Sequence, residues 1–432
     1  MATENNNKTL NVPNKREQSQ TCLGYAERKE QSPQGNVPNL RFPEFSGEWE
    51  HVALSEIAAR VTRKNKDNAS KLPLTISAQY GLVDQISFFN KVVASADMSN
   101  YYLLRQGEFA YNKSYSSDYP WGAIKRLDRY PQGALSSLYI CFAVNDKVDS
   151  DFAVHYFESS KWHREVSNVA GEGARNHGLL NIAVGDFFDT KHRLPSSKEE
   201  QKKIAALLNM ITERIATQIK IIEDLKKLKS AISKHLFARK DLLETTICLS
   251  DIATLKNGYA FQSSKYNPLG KWKILTIANV SGERYINDED CNCIINLPSD
   301  IQNHQVLKEG DILISLTGNV GRVSLCNAGN YLLNQRVGLL QFTNNANREF
   351  IYQVLSSRRF ENNMIACGQG AAQMNIGKGD VENFVLPYST NANNIHLVAN
   401  ILRLYDEQII NEQRRLSFLT MHKQYLLTQM FI

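Results

Sequence analysis

The feature that most constrains this chain is a long internal repeat. Leu54-Ser55-Glu56-Ile57 returns as Leu249-Ser250-Asp251-Ile252, and Gly107-Glu108-Phe109 returns as Gly310-Asp311-Ile312. Asn181-Ile182 with Gly185-Asp186 returns as Asn375-Ile376 with Gly379-Asp380. Leu194-Pro195 returns as Leu386-Pro387, and Phe237 as Phe431. The order is kept and the offsets run only from 192 to 203 residues. Solenoid repeats have periods of about 20–50 residues. The pattern is therefore a duplicated domain-plus-helix unit, and 432 residues suit two such units at about 100–200 residues per domain.

Each copy runs through the same signals. In the second, Asp311–Leu316, Arg322–Cys326 and Val337–Phe342 are apolar runs bounded by Gly or Asn, which reads as strands. In the first, Leu138–Val144 is the clearest strand. Helical stretches are expected at Asp151–Val169 and Asn347–Cys367, followed by Gly-rich loops at Gly171–Arg175 and Gly368–Gly370. Leu-Pro then opens a long helix in both copies.

The long helices carry a heptad seam. Ile204, Leu208, Ile211, Ile215, Gln218, Ile222, Leu225, Lys229, Ile232 and Leu236 alternate spacings of four and three. The same positions 194 residues later are Val398, Leu402, Tyr405, Ile409, Glu412, Leu416, Leu419, Lys423, Leu426 and Met430. The polar breaks coincide in the two copies. Matching seams predict an antiparallel pair, with Gln218 opposite Lys423, Lys229 opposite Glu412 and Ile222 opposite Leu419. The alternative is that each helix packs only on its own domain. Ser197 and Glu200 have the spacing of a capping box at the start of the first helix.

Composition narrows the function. Hydrophobic residues make up 42% of the chain, enough for sizeable cores. No apolar run approaches the ~18 residues of a membrane span, and the polar start from Met1 to Gln20 lacks a secretory h-region. Seven scattered cysteines with no C-x-x-C pair fit reduced thiols, so a cytoplasmic location is expected. The net charge of +6 permits nucleic-acid binding without demanding it. Ten of these basic residues lie between Gln201 and Lys240 against three acids, which suits DNA phosphates or an acidic partner, or an ordinary solvated helix face. No P-loop, G-x-G-x-x-G or Asn-Pro-Pro-Tyr motif is present, so ATP use and methyl transfer are not expected of this chain. Glu200-Gln201-Lys202 has the shape of a nuclease E-x-K, but it falls in a first helical turn, where acids favour the helix dipole. No metal site is expected from the histidine spacing.

What remains is a set of polar, basic and aromatic residues in loops beside strands. Guanine is read by Arg or Lys and adenine by Asn or Gln, while phosphates take Arg, Lys, Ser, Thr and backbone N–H groups. The first copy offers Lys113, Ser114, Tyr115, Tyr119 and Trp121, with Lys125 and Arg126, then Arg175, Asn176 and His177. The second offers Thr317, Asn319, Arg322, Gln335, Arg336, Gln369, Gln373 and Lys378. Solvated loops would carry the same residue types.

Together these residues resemble the DNA-specificity subunit of a type I restriction–modification system, over about residues 36–432. The resemblance rests on Leu40-Arg41-Phe42-Pro43-Glu44-Phe45 with Gly47-Glu48-Trp49-Glu50, on Gly310–Ser315 followed by Thr317-Gly318-Asn319-Val320-Gly321, and on Leu194-Pro195 with Glu200-Gln201-Lys202-Lys203-Ile204. It implies a mixed α/β fold. Two globular target-recognition domains with small β-sheets would be separated by two long antiparallel coiled-coil helices in a duplicated pseudo-two-fold arrangement. The first 35 residues, rich in Asn, Gln, Lys and Glu, read from composition as a disordered tail; the layout implied beyond them is recognition domains over 36–196 and 246–390 and spacer helices over 197–245 and 391–432. It implies a host-defence subunit, itself non-catalytic, that binds double-stranded DNA at a bipartite target; the Thr317–Gly321 turn has no match in the first copy, where Tyr111–Tyr115 stands, which favours an asymmetric target. Two methyltransferase subunits and restriction–translocase subunits would be its partners. No cofactor is expected on the chain itself; S-adenosylmethionine and ATP would sit on those partners. The second helix has Asn394-Ile395 where the first has Glu200-Gln201, which leaves its docking on a partner open. The rival readings are a coiled-coil scaffold that reads no DNA, and a chain with its own DNA-modifying activity.

Overall fold

The computed structural model describes residues 35–432 apart from 78–79, 92–93, 117–118, 172–177, 344–345 and 369–373. The expected tail over 1–35 thus falls outside the described residues but for Gly35, as does most of both Gly-rich loops. The chain divides into two compact units. One comprises the residues up to Met210 with Lys423–Ile432, and the other comprises Ile211–His422.

The first unit runs β1 (Glu50–Ala53), α1 (Leu54–Ile57), β2 (Ala58–Arg60), β3 (Leu74–Ser77), β4 (Gly81–Asp84), α2 (Gln85–Phe89), β5 (Tyr102–Arg105), β6 (Phe109–Asn112), β7 (Ala123–Arg126), β8 (Gln132–Leu135) and β9 (Ile140–Val144). It continues with α3 (Ser150–Glu158), α4 (His163–Val169), α5 (Val184–Asp189), β10 (Lys191–Leu194) and the start of α6 (Lys198–Ala238). The second unit holds β11 (Thr245–Cys248), β12 (Ala253–Asn257), β13 (Trp272–Leu275), β14 (Asn292–Ile294), β15 (Ile312–Ser315), β16 (Val323–Leu325), β17 (Tyr331–Leu333) and β18 (Val337–Phe342). After these come α7 (Arg348–Leu355), α8 (Arg358–Gly368), α9 (Lys378–Glu382), β19 (Val385–Tyr388) and α10 (Ala392–Gln429).

The repeat in sequence is a repeat in topology. The main sheet of the first unit has the order β2-β9-β6-β7, and that of the second β12-β18-β15-β16. All neighbours in both sheets are antiparallel. Phe109 pairs with Phe142 in one, and Ile312 with Leu340 at the matching place in the other. Each domain is closed at its base by a short ladder, β1 with β10 and β11 with β19. The smaller sheets differ. The first unit has two separate hairpin-like pairs, β3-β4 and β5-β8, and the second has a three-stranded β14-β13-β17 sheet.

Two glycines show why the main hairpins recur. Gly122 before β7 and Gly321 near the start of β16 both have φ of 76°, a left-handed conformation that glycine adopts without strain. A Cβ at Gly122 would lie 2.1 Å from the Asn112 carbonyl oxygen, and one at Gly321 would lie 2.6 Å from Met364 Cβ.

The helical stretch expected over Asp151–Val169 is broken into α3 and α4, and that over Asn347–Cys367 into α7 and α8. Asp149 and Asn347 cap the first helix of each pair through side chains that accept backbone N–H bonds. The long helices form as expected, α6 with 41 residues and α10 with 38. Every seam position on both is buried or half-buried.

Two details of the helices differ from expectation. Ser197 Oγ does accept from Glu200 N, but Glu200 does not reach back to complete a box. Its carboxylate, 2% exposed, holds Arg41 in a two-bond ion pair and accepts from Trp49 Nε1. The helix pair is antiparallel but in another register. Gln218 Nε2 bonds to Glu412, its own counterpart 194 residues on, at 2.5 Å. Lys229 Nζ meets Asp406 Oδ1 at 2.6 Å, and Lys423 Nζ meets Glu158 Oε2 at 2.8 Å. Apolar seams match in several registers, so burial alone did not choose between them; the polar partners do.

Candidate nucleic-acid interface

In each unit, one end of the main sheet gathers the loop residues. β6 ends at Asn112, and the chain continues into an isolated antiparallel bridge between Ser114 and Leu179. Leu180 N donates to Lys113 O and Tyr115 N to Gly178 O. In the second unit β15 does the same. Thr317 bridges Asn375, Ile376 N donates to Leu316 O, and Gly318 N donates to Met374 O. The same backbone joint thus holds different side chains in the two copies.

The second unit adds the turn before β18 to this end. Leu316 N donates to Arg336 O, and Gln335 N donates to Tyr259 O. Thr317, Asn319, Gln335 and Arg336 are thereby brought together with Asn375 and Tyr259. Asn319, Gln335, Arg336 and Asn375 are exposed, and among the described residues no acid pairs with Arg336. Thr317 Oγ1 is buried and has no hydrogen-bond partner among the described residues. Tyr259 borders a cleft of about 560 Å³ lined also by Phe261, Tyr266 and Leu297, and its hydroxyl donates to Asp300. Arg322 turns away toward α8, with Nε 3.9 Å from Glu361. Lys378 opens α9 and lies 3.6 Å from Glu382.

In the first unit Tyr115 and Tyr119 are 47% and 38% exposed. Tyr119 and Ser116 exchange backbone bonds, and the Trp121 carbonyl accepts from Tyr111 Oη, which fixes the hairpin loop. Lys113 Nζ reaches Ile182 O at 3.3 Å. Lys125 and Arg126, expected among the contacts, lie on β7 and belong to the packing against α3. Burial lowers the Lys125 pKa, with the Glu158 charge opposing. Arg126 pairs with Asp128 and Asp151 at 2.6 and 2.7 Å. Arg175, Asn176, His177, Gln369 and Gln373 lie outside the described residues.

Asn375 and Tyr259 were missed from sequence. Asn375 stands in the repeated Asn-Ile motif, which was a usable signal. Tyr259 follows a strand end with no motif around it. Among the described residues no group of three or more His, Cys, Asp or Glu could hold a metal ion, and no helix is long and apolar enough to cross a membrane.

Comparison with known proteins bears on this arrangement. Residues 244–420 match the family model described as the type I restriction modification DNA specificity domain. The fold is similar to a type I restriction–modification S subunit from M. genitalium, with 17% identity and a TM-score of 0.53 over 92% of this chain and 99% of that one. It is similar to the same degree, 17% and 0.53, to a chain from a structural study of complex assembly and conformational transition of the type I R-M system, over 88% of this chain and 96% of that one. No curated protein matches the sequence.

Proposed function

We propose that this chain, whose residues 244–420 match the type I restriction modification DNA specificity domain, is a specificity subunit that reads a bipartite DNA target, one half with each sheet end. The observation that carries this reading is the shared joint at Ser114–Leu179 and Thr317–Asn375, which presents unlike side chains from like scaffolds. Lys113, Ser114, Tyr115, Tyr119 and Trp121 would face one half-site. Thr317, Asn319, Gln335 and Arg336, with Asn375, would face the other. Because the two sets differ, the target is asymmetric. Arginine and amide side chains on a rigid sheet edge suit direct readout in a major groove. The mildly basic chain would add phosphate attraction.

In this reading the chain carries no catalytic step. Methyl transfer and DNA translocation belong to methyltransferase and restriction subunits that dock on it, and these hold S-adenosylmethionine and ATP. The test is reconstitution with type I methyltransferase subunits, followed by mapping of methylated adenines. A split, asymmetric motif supports the reading. Methylation without sequence preference, or by the purified chain alone, contradicts it.

A further inference from the structure

The two seam lysines each meet an acid that lies off the heptad seam: Lys229 of α6 reaches Asp406 on α10, which also binds Arg284 and Gln353, and Lys423 of α10 reaches Glu158 on α3. We propose that Lys229 and Lys423 are positioning residues, each closing a polar clamp that fixes its recognition domain against both long helices and so sets the tolerated distance between half-sites. This rests on the bipartite reading above.

The two clamps follow one plan with different chemistry. In the second unit Arg284, whose side chain is 9% exposed, forms a two-bond pair with Glu349 at the start of α7 and reaches Asp406 on α10 at 3.0 Å. Gln353, one turn along α7, donates to both acids at 2.7 Å. Lys229 from α6 completes the set at Asp406. In the first unit Arg126 pairs with Asp151 at the start of α3. Asn209 of α6 donates to Asp151 at 3.2 Å and meets His155 Nε2 at 2.8 Å. Glu158 joins His155 to Lys423 of α10. Both sets therefore tie a sheet-side arginine, the first helix after the sheet, α6 and α10.

The geometry of these groups argues for positioning rather than for stability alone. Exposed and buried ion pairs alike contribute little net stability, but their directional bonds demand one arrangement of the partners. An apolar interface would tolerate sliding that these directional bonds do not. Next to each clamp an aromatic at the helix end packs on the same domain helix: Phe431 lies 5.3 Å from Phe152, and Phe237 lies 6.3 Å from Phe350. These contacts hold the domain on, while the clamp selects its angle.

The test uses the full chain reconstituted with methyltransferase subunits. Lys229→Met and Lys423→Met keep the stem and remove the charge. Methylation rates are compared on the parent target and on targets with the spacer one base pair longer or shorter. Each variant is expected to lower the preference for the parent spacer at least about ten-fold, equivalent to about 1.4 kcal/mol, with unchanged half-site bases and with rescue by Lys→Arg. An unchanged spacer preference overturns the proposal. Amide hydrogen exchange is measured in parallel on the free chain. Faster exchange confined to α7 in Lys229→Met, or to α3 in Lys423→Met, supports the clamp, and unchanged protection there overturns it. If the wild-type complex shows no spacing preference, the bipartite reading fails, while the exchange measurement still decides the clamp.

Discussion

In the first unit Phe109 stacks on Phe142 at 5.4 Å and Tyr111 on Phe187 at 4.9 Å. At the matching places the second unit has Ile312, Leu340, Ile314 and Val381, all buried. At these four places one core has rings and the other branched aliphatics, yet the strand order is the same. The apolar pattern is kept although the side chains are smaller, and it is the pattern that selects the buried face of each strand. The elements that do not vary are the closing ladders, the glycines before the main hairpin's return strand, and the bridge at the sheet end. The residues on that bridge differ, Ser114 with Leu179 in one copy and Thr317 with Asn375 in the other.

The largest difference should come from breaking the clamps. Asp406→Ala leaves Arg284 and Lys229 buried without their shared acid, and should cost the second unit about 3–5 kcal/mol. Urea unfolding followed separately in the two units should show the first unit unaffected. Acid should act on the first unit instead through Glu158. Burial disfavours its charge, but the hydrogen bond with His155 and the Lys423 and Lys125 charges outweigh this and lower its pKa to about 2. The folded pKa lies below the ordinary value, so the stability from this group is present above about pH 4.5 and is lost as pH falls through 2. Thermal melts of Glu158→Gln and wild type should converge over that window.

Next in size are the shared glycines. Gly122→Ala and Gly321→Ala should each cost about 1–3 kcal/mol. Gly122→Ala should be the worse, because its Cβ meets a backbone oxygen whereas Gly321's meets a side chain. Paired chemical melts would check the order. Arg336→Ala should weaken DNA binding by about 1–3 kcal/mol at one base of one half-site if it reads guanine; a uniform loss across sequences would place it on phosphate. The smallest effect is at the centre of the helix pair, where a double-mutant cycle on Gln218→Leu and Glu412→Leu should give a coupling of about 1 kcal/mol.

Much of the scaffold could be read from the repeat. The strands at Asp311–Leu316, Arg322–Cys326 and Val337–Phe342, and both long helices, formed where the pattern put them. The register was missed for a physical reason. Heptad matching fixes which face is buried, but several offsets pair apolar with apolar. Of the deciding groups, Glu412 is a seam residue that meets Gln218, while Asp406 and Glu158 lie outside the seam. Arg126 is a similar case: its basic charge suggested DNA, and only the fold brings Asp151 to it. At the sheet ends, Thr317 and Arg336 could be named from the turn motif. Their convergence with Asn375 needed the Leu316 and Gly318 backbone bonds, which no local pattern announces.

The central claim is that two copies of one scaffold read DNA independently through unlike loops. The most direct test replaces residues 246–390 with the matching segment of a type I specificity subunit and maps methylated adenines after reconstitution. The account predicts that one half of the motif changes while the other half is retained. A change in both halves, or in neither, would contradict it.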